Sequence, residues 1–167
     1  MAPMTAPLNK YLPSLKYNKI MKLYHTFIFM FVANFIFMYW IMSLVMVPSY
    51  EYVTNSLGKL YMTLSMASFM NVVETLMHDM QYGSLSYSYL IFFGSLCLLF
   101  LYLYRTRKFI DDKQYVKEML EHHAMALLTS RDIVEKTNDY NVAKLAKNII
   151  QTQQDEINEM RQILQKS

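Results

Sequence analysis

The chain has 167 residues, 54% of which are hydrophobic, and its formal net charge at pH 7 is only +3. That length accommodates one domain, or a small membrane domain with an appended segment, and the small charge argues against a nucleic-acid partner. The single cysteine, Cys97, excludes both a disulfide framework and a cysteine-based zinc site within one chain. The distribution of apolar residues predicts a polar, basic N-terminal segment at 1–22, a membrane domain at 23–104 and a C-terminal helical hairpin at 105–167.

The first predicted membrane span is the uncharged run from Tyr24 to Val47, which ends at Pro48. About 20 apolar residues cross the core of a bilayer, so this run is long enough to be a transmembrane helix. It is too long for the apolar core of a signal peptide, and no small-residue cleavage site follows it. Lysines at positions 10, 16, 19 and 22 precede the run, which favours a cytoplasmic N-terminus.

Two further apolar runs predict a second and a third span, which gives three transmembrane helices in all. The second run, Leu60–Met77, is shorter and is interrupted by Asn71 and Glu74. The third run, Tyr87–Tyr104, is followed by a basic stretch that begins at Arg105. Three spans place the two ends of the chain on opposite sides of the bilayer. We therefore expect an integral, multi-pass membrane protein whose C-terminal hairpin lies outside.

Methionines recur at intervals of four residues on the first two predicted spans, which aligns their thioethers along one face of each helix. They are Met38, Met42 and Met46 on the first span and Met62, Met66 and Met70 on the second. Glu74 and His78 extend the second row, and an ionisable residue at membrane depth is a functional candidate. The second row therefore predicts a metal path through the membrane. Packing against lipid or a neighbouring helix is the alternative, because methionine also fills irregular apolar surfaces.

Residues 105–167 predict two amphipathic helices joined by a turn. The pair Asp111-Asp112 caps the first helix, which runs to about Lys136. The second helix begins at Tyr140, with Asp139 as its N-cap. A short turn between two such helices makes them antiparallel neighbours, so positions equidistant from residue 138 face each other.

Donor groups for a metal ion occupy positions in this hairpin where apolar residues are expected. They are Met119, His122 and His123 on the first helix and Gln153, Glu156 and Met160 on the second. The pairing places His123 opposite Gln153, and thioether and imidazole groups together suit copper better than magnesium or calcium. Adjacent histidines project about 100° apart, so one faces the hairpin while the other reaches solvent or a neighbouring chain. A histidine hydrogen-bonded in the core by Gln153 or Glu156 is the alternative.

Two segments of the hairpin, Ile110–Ser130 and Val142–Met160, together resemble the bacterial "domain of unknown function 305" family. The hallmark of that family is a methionine, then a histidine pair, then a helix bearing Gln, Glu-Ile and Met at these spacings. A membrane-anchored branch of the family carries N-terminal spans, and the chain is similar to this branch. One departure is Glu121, where many members have proline. From the sequence we expect Glu121 and Glu118 to be solvated.

The resemblance implies a ferritin-like helical arrangement and, in some members, copper binding or copper tolerance. Carried over by position, it implies the metal ligands Met119, His122, His123 and Met160, with Gln153 and Glu156 as supporting or ligating groups. The chain is therefore predicted to be an all-α membrane protein that sequesters or handles copper, its expected cofactor. We do not expect an enzyme, because di-iron ferritin-like sites need Glu-x-x-His pairs and no glutamate lies three residues before either histidine.

Two helices alone bury too little surface to be stable, so hairpins of neighbouring chains are expected to pair into a four-helix bundle. This predicts a homo-oligomer in the lipid bilayer. One alternative function is a copper-conducting three-span channel, since Met62 and Met66 match the Met-x-x-x-Met pair of copper-uptake channels. Their third-span Gly-x-x-x-Gly is absent, because Gly94 is followed four residues later by Leu98. The other alternative is a structural membrane protein that oligomerises through the hairpin.

Overall fold

The computed structural model describes residues 12–83 and 85–166, with side chains described from residue 24 onward. These residues form helices joined by short connections, with no strand among them, so the all-α prediction is confirmed for this part of the chain. The first helix begins at Leu12 and therefore includes the later part of the segment predicted to be polar and basic. Residues 1–11 of that segment lie outside the described residues.

The helices form two groups. We call the helices of residues 12–105 the membrane-side helices, because two of their segments are long and apolar enough to cross a membrane, and residues 112–166 form the C-terminal hairpin. In chain order they are α1 (Leu12–Ile36), a π-helical turn (Phe37–Ile41), α2 (Met42–Met46), a 3-10 turn (Tyr50–Tyr52), α3 (Leu57–Tyr82), α4 (Tyr87–Arg105), α5 (Asp112–Lys136) and α6 (Tyr140–Lys166). Helix α3 packs against both α1 and α4, whereas α5 and α6 pack against each other as an antiparallel hairpin. Contacts of α5 with α3 and with the 3-10 turn join the two groups.

Two segments are long and apolar enough to cross a membrane, by length and composition. They are Tyr24–Met46, with 23 residues, and Tyr87–Arg105, with 19 residues, and they correspond to the first and third predicted spans. The prediction of three spans is wrong, because α3 does not meet the same criterion among the described residues. Polar residues within α3, such as Asn71 and Glu74, lower its hydropathy.

The polar residues of α3 face the neighbouring helices, and many of its apolar residues face outward. Its buried residues include Thr63, Ser65, Ser68, Asn71 and Thr75. Its exposed residues include Met62, Met66, Phe69, Met70 and Met77. The side-chain amide of Asn71 donates to the carbonyl oxygen of Phe27 in α1 at 3.1 Å. Small and polar residues at helix contacts are typical of packing in membranes, because they let the helices approach closely.

The turn between α3 and α4 is held by Asp79, a buried residue near the end of α3. One of its carboxylate oxygens accepts a hydrogen bond from Ser86 N, and the other accepts from Ser86 Oγ, both at 2.7 Å. The backbone hydrogen bond from Ser86 lowers the pKa of Asp79 below its ordinary value of 3.8, although burial opposes this shift. Gly83 follows with φ of 60°, a left-handed conformation that glycine adopts at little cost.

We expect Asp79→Asn to destabilise the protein at neutral pH and to have much less effect in strong acid. Because folding lowers the carboxyl pKa, the stabilisation is present above the unfolded value and disappears as the pH falls through the lower folded value. Urea unfolding of both proteins in detergent micelles, at neutral pH and in strong acid, measures the difference. A gap in unfolding free energy that stays constant with pH would contradict this role of Asp79.

The ends of the hairpin helices lie where the sequence predicts them. Asp111 Oδ1 accepts a hydrogen bond from Gln114 N at 2.7 Å, and Asp139 Oδ1 accepts from two backbone amides at the start of α6. Caps of this kind satisfy amides that the first turn of a helix leaves unpaired. Helix α5 ends at Lys136 and α6 begins at Tyr140, as predicted.

A buried ion pair fixes the hairpin to the segment that precedes α3. Lys59 Nζ lies 3.1 Å from Glu121 Oε1, and only 10% and 7% of the two side chains are exposed. Thr54 joins the pair, since its backbone amide donates to Glu121 Oε2 at 2.9 Å and its carbonyl accepts from Lys59 Nζ at 3.0 Å. The prediction that Glu121 is solvated is therefore wrong, because a lysine 62 positions away supplies its counter-charge.

Glu118 is also partnered, so the prediction that it is solvated is wrong as well. Its carboxylate accepts two hydrogen bonds from Arg107 Nη1, at 2.7 and 2.9 Å, and these raise the pKa of Arg107. A Cβ atom on Gly58 would overlap the same carboxylate, so the first turn of α3 approaches α5 closely at this point. These contacts hold the first half of α5 against the membrane-side helices.

Candidate metal site in the hairpin

The inner face of the hairpin brings His123, Gln153 and Glu156 together. His123 Nδ1 lies 2.9 Å from Glu156 Oε2, and Gln153 Nε2 donates to the same oxygen at 3.3 Å. The His123 side chain is 18% exposed, whereas the Glu156 side chain is 44% exposed. The imidazole is thus enclosed between the helices while the carboxylate borders solvent, an arrangement that gives an ion a path to the ring.

The Nδ1 atom of His123 is buried and makes no hydrogen bond within the described residues. The Glu156 carboxylate is close enough, but the contact lacks the alignment of a hydrogen bond. Nδ1 therefore has a close contact with the Glu156 carboxylate but no aligned hydrogen bond. Both a direct His123–Glu156 pair and a cation held between the two groups are compatible with this geometry.

Met119 and Met160 are half-buried and lie one helical turn from this pair. Met119 precedes His123 by four residues, and Met160 follows Glu156 by four residues. Because the helices are antiparallel, both methionines lie on the same side of the pair, a rise of about 5.4 Å along each helix. Within the described ranges, no group of three or more His, Cys, Asp or Glu residues could hold a metal ion, so the candidate site depends on thioethers.

His122 points away from the inner face of the hairpin. It is exposed and lines a cavity between α5 and the membrane-side helices, together with Met125. The predicted division between the two histidines is observed, because His123 faces α6 and His122 does not. His122, which faces away from α6, lies at a cavity formed by its own chain. Of the six residues predicted as ligands, five thus lie on or beside the inner face, and His122 is separate.

The residues predicted as a membrane metal path are only partly together. Met62 and Met66 line the cavity near His122, whereas Met70 is exposed elsewhere on α3. Glu74 is half-buried, and His78 Nδ1 lies 3.5 Å from the carboxylate of the next residue. Within the described residues, the two ends of the row therefore lie in different surroundings.

The sequence analysis missed that the two methionine rows share one cavity. Met62 and Met66 of α3 line it together with the row on the preceding helix, which consists of Met38, Met42 and Met46. The signal available in the sequence was the same four-residue spacing on two consecutive helices. That spacing defines a face on each helix, but it does not say that the two faces meet.

The hairpin coincides with a region shared with known proteins. Residues 109–167 match the family described as Domain of unknown function (DUF305). An uncharacterized protein, L153, of Acanthamoeba polyphaga mimivirus is 40% identical to the chain over 108 residues, which is 65% of this chain and 70% of that protein. The chain belongs to the DUF305 family. No solved structure matches it significantly.

The DUF305 domain contains all six hairpin residues that the sequence predicts as ligands, from Met119 to Met160. It does not contain Lys59 or the methionines of α1 to α3. The similarity to the viral protein covers 108 residues, which is more than the length of the domain, so at least part of it lies outside the hairpin. The hairpin thus matches the DUF305 family, and at least part of the sequence before it is similar to the viral protein.

Proposed function

We propose that this DUF305 chain is a membrane-anchored protein that binds copper in its C-terminal hairpin, for sequestration or handling and not for catalysis. The observation that carries the proposal is the buried Nδ1 atom of His123, which has no hydrogen bond and lies 2.9 Å from Glu156 Oε2. Two donors that bind one tetrahedral cation at about 2.1 Å lie about 3.4 Å apart, so the two groups would separate by about half an ångström to share an ion. The Glu156 side chain is 44% exposed and borders solvent, which leaves room for that movement.

The remaining donors favour copper over harder cations. Met119 and Met160 add thioethers one turn from His123, and soft sulfur with imidazole selects Cu(I), whereas magnesium and calcium prefer oxygen. Gln153 donates to Glu156 at 3.3 Å and so orients the carboxylate that faces the ring. Supporting hydrogen bonds of this kind fix the direction of a ligand and tune its affinity.

The membrane placement is supported by the surfaces of the first four helices. Tyr24–Met46 and Tyr87–Arg105 are long and apolar enough to cross a bilayer, and they expose large apolar side chains. Helix α3 packs against both of these segments and turns apolar residues outward. We propose that a lipid bilayer covers these surfaces. Because two spans place both ends of the chain on the same side of the bilayer, the predicted orientation, with the N-terminus cytoplasmic and the hairpin outside, depends on a third span and is not retained.

A ferritin-like bundle formed by several chains remains a prediction. The hairpin is not isolated, because Glu121 ties it to Lys59, so its own chain covers part of the surface assigned to a partner. Helix α6 still exposes Val142, Leu145 and Ile163, which supports contact with a second hairpin. A homo-oligomer would bury these side chains.

Titration of the full chain with Cu(I) in detergent micelles, in competition with a coloured chelator, tests the proposal. We expect stoichiometric binding by the wild-type protein and loss of the hairpin equivalent in the His123→Ala, Glu156→Gln double variant. His25→Ala provides the control, because His25 is an exposed histidine outside the hairpin. The absence of stoichiometric binding, or equal binding by the double variant, would favour the structural role.

A further inference from the structure

A cavity of about 260 Å³ lies where α1 to α3 meet the hairpin. Six of the fifteen methionines in the chain line it, and we call it the methionine cavity. They are Met38, Met42, Met46, Met62, Met66 and Met125. These methionines come from three separate parts of the chain: the π-helical turn with α2, helix α3 and helix α5. Tyr104 of α4 also lines the cavity.

The methionine cavity opens to the surface of the chain. Methionine is flexible and fills irregular gaps well, so packing against lipid or a neighbouring helix is the alternative explanation for this lining. Met46, Met62 and Met66 are exposed, so the space between the rows of thioethers can be reached from outside. The sulfur-bearing side chains therefore border a space into which they can donate.

The charged groups at the cavity are already partnered, whereas its imidazole is not. Lys59 is paired with Glu121, and Glu118 accepts two hydrogen bonds from Arg107. His122 lines the cavity and makes no hydrogen bond or ion pair with the residues that the structure describes. The donors that remain available are thioether sulfurs and one imidazole.

We propose that the methionine cavity is a second metal site, which binds a soft monovalent cation of the Cu(I) class. Thioethers and an imidazole select such an ion, because these donors are poor ligands for magnesium, calcium or manganese. The lining residues Lys59, Glu118 and Glu121 carry no net charge together with Arg107, which pairs with Glu118, so the thioethers and the imidazole alone would hold the cation. The site shares no ligand with the His123–Glu156 pair and does not depend on the proposed function.

The two sites lie on different faces of α5. His123 faces α6 and His122 faces the cavity, so each histidine of the pair serves one site. The hairpin site lies wholly within the DUF305 domain, whereas five of the six cavity methionines lie outside it. The cavity is thus built mainly from the membrane-side helices of this chain.

Equilibrium dialysis of the full chain in detergent against Ag(I), a soft monovalent ion that does not change oxidation state, counts the sites. We expect the Met62→Leu, Met66→Leu variant to bind one fewer Ag(I) per chain than the wild-type protein. Leucine keeps the volume and apolar character of methionine, so the fold is retained, and circular dichroism checks this. The matched control is Met70→Leu, Met77→Leu, which changes two exposed methionines of α3 outside the cavity.

The opposite wall gives an independent check. Met38→Leu, Met42→Leu is expected to remove the same equivalent of Ag(I), because these residues line the cavity from the preceding helix. If both cavity variants bind as much Ag(I) as the wild-type protein, the second site does not exist and the cavity holds apolar material only.

The two proposals fail in different ways in this experiment. The His123→Ala, Glu156→Gln variant removes the hairpin donors and leaves the cavity donors in place. It is therefore expected to lose the one Ag(I) per chain that the hairpin site binds. If that variant loses nothing while the cavity variants each lose one ion, the hairpin proposal fails and the cavity proposal stands.

Discussion

Glu121→Ala is expected to destabilise the protein by about 3–5 kcal/mol, the effect of removing one partner of a buried ion pair. The change would leave the Lys59 ammonium, which is 10% exposed, without its counter-charge. It would also leave the amide of Thr54 without the acceptor that it now has at 2.9 Å. Both groups have lost most of their contact with water, so neither loss is compensated by hydration.

Thermal or urea unfolding of the full chain in detergent micelles measures this effect. The matched control is Asp132→Ala on the same helix, which removes the partner of Lys136 where both side chains are more than half exposed. A surface pair of that kind contributes at most about 1 kcal/mol. If the two substitutions proved equally mild, the junction between the hairpin and α3 would not be as the structure describes it.

Alanine substitution of the two adjacent histidines is expected to affect the hairpin site very unequally. His123→Ala removes the imidazole that faces Glu156 and is expected to weaken Cu(I) binding there by at least 10- to 100-fold, the range seen when even a supporting group of a metal site is lost. A tenfold loss corresponds to about 1.4 kcal/mol of binding free energy. His122→Ala is expected to leave the affinity of this site within a few-fold, because His122 faces the methionine cavity.

The effects of His122→Ala and His123→Ala on the hairpin site are easiest to compare when the methionine cavity cannot bind Cu(I). We therefore expect the contrast between the two histidines to be sharpest in the Met62→Leu, Met66→Leu background, measured by competition with a Cu(I) chelator. Glu156→Gln in the same background keeps the size of the side chain and removes its charge. The affinity of the hairpin site for Cu(I) is therefore expected to fall in this variant as well. Equal losses for His122→Ala and His123→Ala would mean that both imidazoles bind the same ion.

Local signals in the sequence predicted much of the hairpin. Asp111 and Asp139 are N-caps whose effect reaches only two or three residues, so their position in the sequence is sufficient to place the helix starts. Counting from the turn placed His123 near Gln153 and Glu156, because helix geometry is regular over this length. These inferences needed no knowledge of how the hairpin packs on the rest of the chain.

The environment of Glu121 and the methionine cavity could not be predicted in this way. Glu121 lies among polar residues on α5, and the lysine that pairs with it is 62 positions earlier in the chain. The methionine rows define one face on each of two helices, but the crossing of α1 and α3 decides whether those faces meet. That crossing includes the π-helical turn Phe37–Ile41, which no simple periodicity anticipates.

Glu121, where the chain departs from the pattern of the family that it resembles, has a structural role. In this chain the carboxylate links the DUF305 domain, through Lys59 and Thr54, to the helices that precede it. We infer that Glu121 fixes the orientation of the His122–His123 pair relative to the membrane-side helices.

The proposed copper site is tested most directly by anomalous X-ray scattering from crystals of the full chain loaded with Cu(I). We predict a copper peak between the helices of the hairpin, within bonding distance of His123 Nδ1 and Glu156 Oε2. Density with no copper there, and with the His123 imidazole hydrogen-bonded to the Glu156 carboxylate, would contradict this account.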